Sequence, residues 1–388
     1  MQEKWSHRAD LAEAAITDRH ARKLWGIPRT NLGVVSWPPS TKDELFVHWH
    51  YWWQAHYLDC QIDAALRRPT IQRKRRIKET MRGIRIRNIR GWTVNRYYDD
   101  KSWLALAVGR WHTSARNKAL RALENNIAAG IDTLTGVLPW RTNETFYNVP
   151  TNGPAAIMMA RSGRLTQACT LTDWVFDNLI DENGLVMDGM RMRMHGPELV
   201  RAIHPYCQGV MMGACLEIAD RMLADQGVTD VASLDDAERA HDAYAYIARI
   251  RELVVAVENN LATPDGVINC ITTGGDGGLF KGILVRYLAD VALRLPGDSA
   301  ASRETKKKAT RLVLQSATSM WNHRLEIDGL PVFPSDWTTD AQVPTTSTYS
   351  GSIGGAVLGS FVPERDLSVQ LSGWMLLEAA AKVAGGSV

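Results

Sequence analysis

Cysteine is sparse and unpatterned. Cys60, Cys169, Cys207, Cys215 and Cys270 are five scattered residues, with no C-x-x-C pair among them. The spacing offers no zinc or redox motif. A reduced, cytoplasmic chain is the expectation, or a secreted one if a signal has been removed. No run approaches the 18 apolar residues of a membrane span, and Met1 to Ala15 alternates charged and small residues without an apolar signal core. Segments that alternate with period two are rare, and no Pro/Ser-rich linker divides the sequence, so residues 1–388 are expected to form one all-α domain. Net charge is only +3, which demands no polyanionic partner, and nucleic acid is not expected as one. Phenylalanine is scarce too, at 6 residues, while tryptophan reaches 14. Large rings with one polar edge serve packing and also suit the apolar faces of sugars.

What the chain does contain is helical periodicity. Leu11, Ala14, Ala15, Leu24 and Trp25 mark a first helix. Leu45, Trp49, Trp52, Trp53 and His56 fall on one face of a second. Further helices are predicted near 73–89, 101–112, 117–129, 153–162, 165–179, 206–222, 236–260, 279–294, 302–323, 351–360 and 370–383. Helices rich in small and aromatic residues centre near 52, 105, 157, 213, 286 and 355, with more polar helices between them. Six such hairpins can close into an (α/α)6 barrel of six inner and six outer helices, whose open end is a natural concave site. Periodicity alone fits an open α-solenoid equally well.

The sharpest local signal is Tyr97-Tyr98-Asp99-Asp100-Lys101-Ser102-Trp103. Two adjacent carboxylates open a helix, where Asp also serves as a cap. The chemical reading is a pair for glycoside hydrolysis, one carboxylate ionised and one protonated. Side by side, each charge raises the cost of ionising the other and splits their titrations. Both can face one cavity only if Asp99 lies at or before the first helical residue.

Several stretches, in order, resemble a known family. They are Trp52-Trp53-Gln54-Ala55, Tyr97 to Trp103 with Leu104-Ala105-Leu106-Ala107, Asn152-Gly153-Pro154-Ala155, Gly184-Leu185-Val186-Met187-Asp188-Gly189, Tyr206-Cys207-Gln208-Gly209, and Phe280-Lys281-Gly282-Ile283 with Arg286-Tyr287. Together they resemble glycoside hydrolase family 76. The resemblance implies an (α/α)6 barrel and retaining, endo-acting cleavage of α-1,6-mannan, with cell-wall transglycosylation as the alternative within the family and a non-catalytic glycan- or membrane-binding relative as the alternative outside it. It implies Asp99 as nucleophile and Asp100 as acid/base. It also implies a mannose-containing partner and no need of a metal or organic cofactor; a monomer is the expectation. Substrate contacts are expected from Trp52, Trp53, Gln54, Tyr98, Asn152, Asp188, Tyr206, Gln208, Phe280 and Lys281. Cys207 departs from the Asn that the family usually has there, which weakens one sugar contact if that side chain faces substrate.

Other features carry less. Gly274 to Gly278 lacks the Gly-Lys-Ser/Thr ending of a phosphate loop and is expected to form a flexible rim. His48, His50 and His56 lack metal-ligand spacing. Arg67 to Arg90 holds eleven Lys or Arg and one acid, Glu79. It is expected on an outer helix, with Ile71, Ile77, Ile84 and Ile86 toward the barrel and a weak affinity for anionic membranes through the exposed charge.

Overall fold

The computed structural model describes residues 2–89, 91–111, 114–225, 241–270, 272–345, 352–353 and 355–386. In chain order the helices are α1 Gln2–His20, α2 Thr41–Glu44, α3 Tyr51–Arg67, α4 Ile71–Arg87, α5 Tyr98–Gly109, α6 Ser114–Ala128, α7 Val149–Arg161, α8 Leu165–Asn178, α9 Pro205–Asp225, α10 His241–Asn260, α11 Gly277–Arg294, α12 Ala300–Asn322 and α13 Leu367–Gly386. The strands are short: β1 Ala21–Arg22, β2 Leu32–Gly33, β3 Phe146–Asn148, β4 Met187–Arg193, β5 Gly196–Ile203, β6 Leu325–Ile327, β7 Leu330–Val332, β8 Ser352–Ile353 and β9 Ala356–Val357. All pair antiparallel, β3-β4-β5 as a small sheet and the others as two-stranded ribbons.

The helices close into a ring. α3 packs on α5, α5 on α7, α7 on α9, α9 on α11, α11 on α13, and α13 returns to α3. Outside them, α4 backs α3, α6 backs α5, α8 backs α7, α10 backs α9, α12 backs α11 and α1 backs α13. This is the (α/α)6 barrel, and closure excludes the open solenoid. The inner helices are buried nearly all round: every residue of α7 from Val149 to Ala160 is buried. A helix apolar on all sides belongs in an interior. The outer helices bury one stripe, as α12 does with Leu312, Val313, Ala317 and Met320.

Glycine sets the spacing on one side of the ring. A Cβ on Gly209 of α9 would lie 2.8 Å from the Cα of Leu284 in α11. One on Gly282 of α11 would lie 2.6 Å from the Cα of Ser372 in α13, whose Oγ accepts the Gly282 N–H at 2.7 Å. These contacts are backbone to backbone, so a side chain has no rotamer by which to escape.

The barrel's lower half holds charge. Asp59 and Asp63 of α3 face Arg110, Arg286 and Lys382. Arg110 Nη1 lies 2.5 Å from Asp59, Arg286 Nη1 2.6 Å from Asp63, and Lys382 3.1 Å from Asp63. Mutual pairing and hydrogen bonding make buried charge tolerable there.

Four local expectations are corrected. The 351–360 helix is instead the β8–β9 hairpin, Ser352 opposite Val357 and Ile353 opposite Ala356. Its glycines, with Gly355 at φ 101°, suit a turn and weaken a helix. Residues 351 and 354 lie outside the described residues, and the sixth inner helix is α13. The first helix stops at His20, and Trp25 takes a left-handed φ of 49°. The second begins at Tyr51, because His50 has φ 40°. Finally, Ile71 is exposed while Ile77 and Ile84 are buried and Ile86 is half-buried.

The basic stretch does lie on the outer helix α4, but much of its charge is neutralised by the protein itself. Arg67 pairs with Asp10 and Glu378, Arg73 with Asp10 and Glu13, Arg76 with Glu13 and Arg75 with Glu79. Arg90 lies outside the described residues. No described helix is long and apolar enough to cross a membrane.

Gly282→Ala is expected to destabilise the fold by ~1–3 kcal/mol, the usual cost of overpacking a rigid contact. Urea denaturation measures it. A midpoint equal to wild type would show that α11 and α13 can separate freely at this seam.

Candidate active site

The inner helices start at the same end of the barrel, and the N-terminal turns of five of them, α3, α5, α7, α9 and α11, line a cleft of about 640 Å³. Four rings from four inner helices meet across its base: Trp52 of α3, Trp103 of α5, Tyr206 of α9 and Phe280 of α11. Tyr206 and Phe280 stack with centroids 4.1 Å apart and planes 14° apart. Trp52 lies 6.3 Å from Trp103 and 6.4 Å from both Tyr206 and Phe280, all at shallow angles. The result is an aromatic floor of stacked and tilted rings that offers apolar surface to a pyranose.

Four carboxylates reach this cleft: Asp99, Asp100, Asp188 and Asp276. Asp99 and Asp100 occupy the second and third positions of α5, after the N-cap Tyr97. The expectation that Asp99 lies at or before the first helical residue is therefore corrected. Both reach the cleft because it wraps around the end of α5, so a divergence of ~100° still leaves each carboxyl on its wall. Asp99 Oδ2 accepts from Trp140 Nε1 at 2.9 Å, and its Oδ1 accepts from the Asp100 backbone N–H at 2.8 Å. Asp100 accepts from the amide of Asn95.

Burial raises both carboxyl pKa values above the ordinary range. For Asp99 the two N–H donors oppose the rise. For Asp100 the neighbouring Asp99 charge adds to it, and its pKa is pushed well up. The pair thus splits: Asp99 is the better anion and Asp100 the better proton carrier.

Asp188 stands in a β-bulge, where the β4–β5 register shifts between Met187 and Gly189. The bulge leaves it out of the ladder and turns it toward the cleft. Burial lifts its pKa to about 7 against the opposing charge of Arg191. Arg191 also lines the cleft, its guanidinium 4.0 Å from the Phe146 ring centre.

The structure brings Trp52, Asp99, Asp100, Asp188, Tyr206 and Phe280 together at the cleft. It turns the other six expected contacts away from it, and each has a physical reason. Gln54 is fully buried: it accepts from Gly33 N–H at 2.9 Å and donates to the Gly33 and Trp49 carbonyls at 2.8 Å. Asn152 does the same with Leu138, at 2.9 Å each way, and Gln208 with Val186, at 2.8 Å each way. Trp53 is buried and donates to Asp276. Tyr98 packs over Gly130 with the Lys101 ammonium 3.9 Å from its ring centre. Lys281 is buried against Trp337 and donates to the Ser335 carbonyl at 2.5 Å. Cys207 is fully buried, so the departure from Asn falls on packing and not on the cleft wall.

Trp103, Trp140, Arg191, His204 and Asp276 complete the cleft and were not among the expected contacts. Trp140 had a signal in hindsight: it follows Gly136-Val137-Leu138 as Asp188 follows Gly184-Leu185-Val186. Asp276 was hidden among glycines. Its loop is a rim but a tied one, since Gly275 N–H donates to Asp366 Oδ2 at 2.7 Å and Gly275 has φ 64°. The three histidines go separate ways: His48 pairs with Asp43 at 3.3 Å, His50 lines the cleft, and His56 packs between Trp52 and Trp103.

No match is found among curated proteins. Among solved structures, the α-1,6-mannanase of Salegentibacter sp. HEL1_6 shares 24% identity and a TM-score of 0.75, with 98% of this chain and 99% of that one covered. An inactive variant of that enzyme, two adjacent aspartates replaced by asparagine, is in complex with α-1,6-mannotriose; it shares 23% identity and a TM-score of 0.75, over 98% and 99% of the two chains. Dfg5 from Chaetomium thermophilum, in complex with glucosamine, shares 15% identity and a TM-score of 0.67, over 98% and 91%. At these identities the likeness establishes the fold. The family model for glycosyl hydrolase family 76 matches residues 10–354. With the helical ring, the aromatic floor and the paired aspartates in place, that match makes the chain a member of glycosyl hydrolase family 76.

Proposed function

We propose that this family 76 protein is a retaining, endo-acting α-1,6-mannanase. The observation that carries the reading is the Asp99–Asp100 pair at the end of α5, with Asp99 steadied by two N–H donors beside an aromatic floor. The relative inactivated by replacing two adjacent aspartates, and found with α-1,6-mannotriose, supports the same pair and substrate class here.

In the first step the Asp99 carboxylate attacks the anomeric carbon. Asp100 gives its proton to the departing O6 of the next mannose. A glycosyl ester on Asp99 results. In the second step Asp100, now ionised, takes a proton from water, and the hydroxide attacks the anomeric carbon. The ester breaks, Asp99 returns as carboxylate, and the sugar keeps its configuration. The helix N-terminus favours both anions, which assists Asp99. Burial and the Asp99 charge act the other way on Asp100 and keep its proton in place. In this reading the Trp52, Tyr206 and Phe280 rings support the mannose faces, and Asp188 accepts from a hydroxyl.

Incubation with linear α-1,6-mannan and with α-linked glucans, followed by product sizing, tests the assignment. Internal cleavage of the mannan alone supports it. Monomer release only, or cleavage of the glucans in preference, refutes it. Proton NMR of the first-formed product reads the anomer, and inversion would overturn the double displacement.

Asp99→Asn and Asp100→Asn are each expected to lower kcat/KM on the order of 10³-fold with the fold retained, since an amide neither forms the ester nor moves the proton. Activity within about tenfold of wild type would remove that residue from the mechanism.

The pH profile follows from the raised carboxyls. Activity needs Asp99 ionised and Asp100 protonated, so kcat/KM against pH is expected to be bell-shaped. Its acid limb should lie well above the ordinary aspartate range, because burial raises Asp99. Stability changes in the opposite sense. A carboxyl whose pKa is raised by folding favours the folded state below its unfolded value, near pH 4, and that advantage is lost as pH rises through the folded value. Asp100→Asn should therefore melt ~2 °C or more above wild type at pH 8, with the gap closing toward pH 4. Equal melting temperatures at pH 8 would show that Asp100 ionises there without cost.

A further inference from the structure

Asp276 is the fourth carboxylate of the cleft, and the two-step reaction gives it no part. It sits in the glycine loop at the start of α11, and both its oxygens are engaged. Oδ1 accepts from Trp52 Nε1 and from Trp53 Nε1, each at 2.9 Å. Oδ2 accepts from the backbone N–H of Val357 in β9 at 2.7 Å, while the Asp276 N–H donates back to the Val357 carbonyl at 3.0 Å. A single side chain thus joins the floor of the cleft, through α3, to the hairpin that forms its wall.

From there the connection runs on toward the chemistry. Gly355 of the hairpin presses on Trp140, where an added Cβ would stand 2.9 Å from the ring. Trp140 in turn donates to Asp99. The loop is built for this closeness: a Cβ on Gly275 would lie 2.2 Å from the Val357 carbonyl oxygen, so only glycine lets the two segments meet.

We infer that Asp276 is a positioning residue for the reaction, fixing the Trp52 indole as the sugar platform and the β9 strand as the facing wall through one shared carboxylate. The inference rests on the mannanase reading for its kinetic consequences, and on geometry alone for the clamp itself. Three donors converge on two oxygens, and only a carboxylate can accept at both. Asparagine would turn its NH2 toward the Val357 N–H or toward the two indoles, so one side of the clamp must open. The titratable groups that face Asp276 across the cleft are Asp99 and Asp100 of α5 and Tyr206 of α9. The Asp276 charge therefore also makes both members of the pair harder to ionise.

The test uses Asp276→Asn, Asp276→Ala, Trp52→Phe and the Asp276→Ala/Trp52→Phe double variant of the whole chain. For Asp276→Asn on α-1,6-mannan oligosaccharides, KM is expected to rise on the order of tenfold with a smaller loss in kcat, the pattern of a lost binding platform. Both limbs of the pH profile should move to lower pH by about half a unit, because a neighbouring negative charge is gone. A purely structural role lowers the profile without moving it. Trp52→Phe keeps a smaller aromatic ring and removes the indole N–H, so the effect of Asp276→Ala on KM should shrink in that background, as coupled neighbours require. Unmoved pH limbs, or strict additivity of the two changes, overturns the inference. A readout free of substrate separates it from the function proposed above. Solvent exchange of the Trp52 and Trp53 indole N–H, followed by NMR, should quicken at least tenfold in Asp276→Ala. Unchanged exchange overturns the clamp whatever the activity. Wild-type protein inert on every mannan, with slow indole exchange that quickens in the variant, sustains the clamp and overturns the mannanase reading instead. If Asp276→Ala does not fold, Asp276→Asn is measured with the Val357 backbone N–H followed beside the two indoles: quickened exchange on either side sustains the clamp, and unchanged exchange on both overturns it.

Discussion

Four buried side-chain amides hold the loops of this barrel against its inner helices. Gln54, Asn152, Gln208 and Gln370 each exchange two hydrogen bonds with the backbone of a single residue, Gly33, Leu138, Val186 and Phe333 respectively. Each also donates to a further carbonyl, those of Trp49, Asn148, His204 and Glu364. Such a bridge stabilises modestly when made, at roughly 1 kcal/mol per bond, but leaving the same buried groups unpaired costs about 1–3 kcal/mol each. The loops are therefore held in one register. In an extended segment, residues two apart share a side. Pinning Leu138 thus sets Trp140 against Asp99, and pinning Val186 fixes the chain just before the β4 bulge that turns Asp188 to the cleft. The groups that face the cavity owe their aim to groups that never touch it.

Charge at the cleft has a second support in the backbone. The six inner helices start at this end, and the positive ends of their dipoles converge where Asp99, Asp100, Asp188 and Asp276 stand. Burial opposes ionisation of all four, and it is the largest influence on each. N–H donors then decide which carboxyl resists best. Asp99 has two and Asp276 has three. Asp188 has the Arg191 charge nearby. Asp100 has one amide and an adjacent anion. One residue type thus stands in four different settings of donors and neighbouring charge.

Much of this was legible in the sequence, for identifiable reasons. Inner helices are apolar on all sides and outer ones on one, so both show in the periodicity; α7, α9 and α11 fall within a few residues of their expected bounds. Ring closure was not legible, since an open solenoid has the same periodicity. Asp99 and Asp100 stood out through their adjacency and the family resemblance. The polar residues beside them misled. Gln54 and Gln208 stand two positions after the cleft rings Trp52 and Tyr206, yet two positions turn a helix by about 200°, so both amides point into the wall, as Asn152 does. Nothing in sequence separates an amide that binds sugar from one that binds a distant backbone. Asp276 was obscured for a related reason: five residues rich in glycine read as slack, whereas the glycines there mark how closely β9 approaches. The 351–360 segment failed through composition, its small residues resembling an inner helix while its glycines belong to a hairpin.

The aromatic floor has one more consequence. Trp52, Trp103, Tyr206 and Phe280 come from four sides of the ring and touch across its axis. Beneath them lies the Asp59, Asp63, Arg110, Arg286 and Lys382 network. The barrel is thus a cup and not a tube. Among the described residues no passage runs through the axis for a polymer to thread. A long chain reaching Asp99 then lies across the rim with both of its tails outside. What enters by this mouth also leaves by it, and the β8–β9 wall stands beside it.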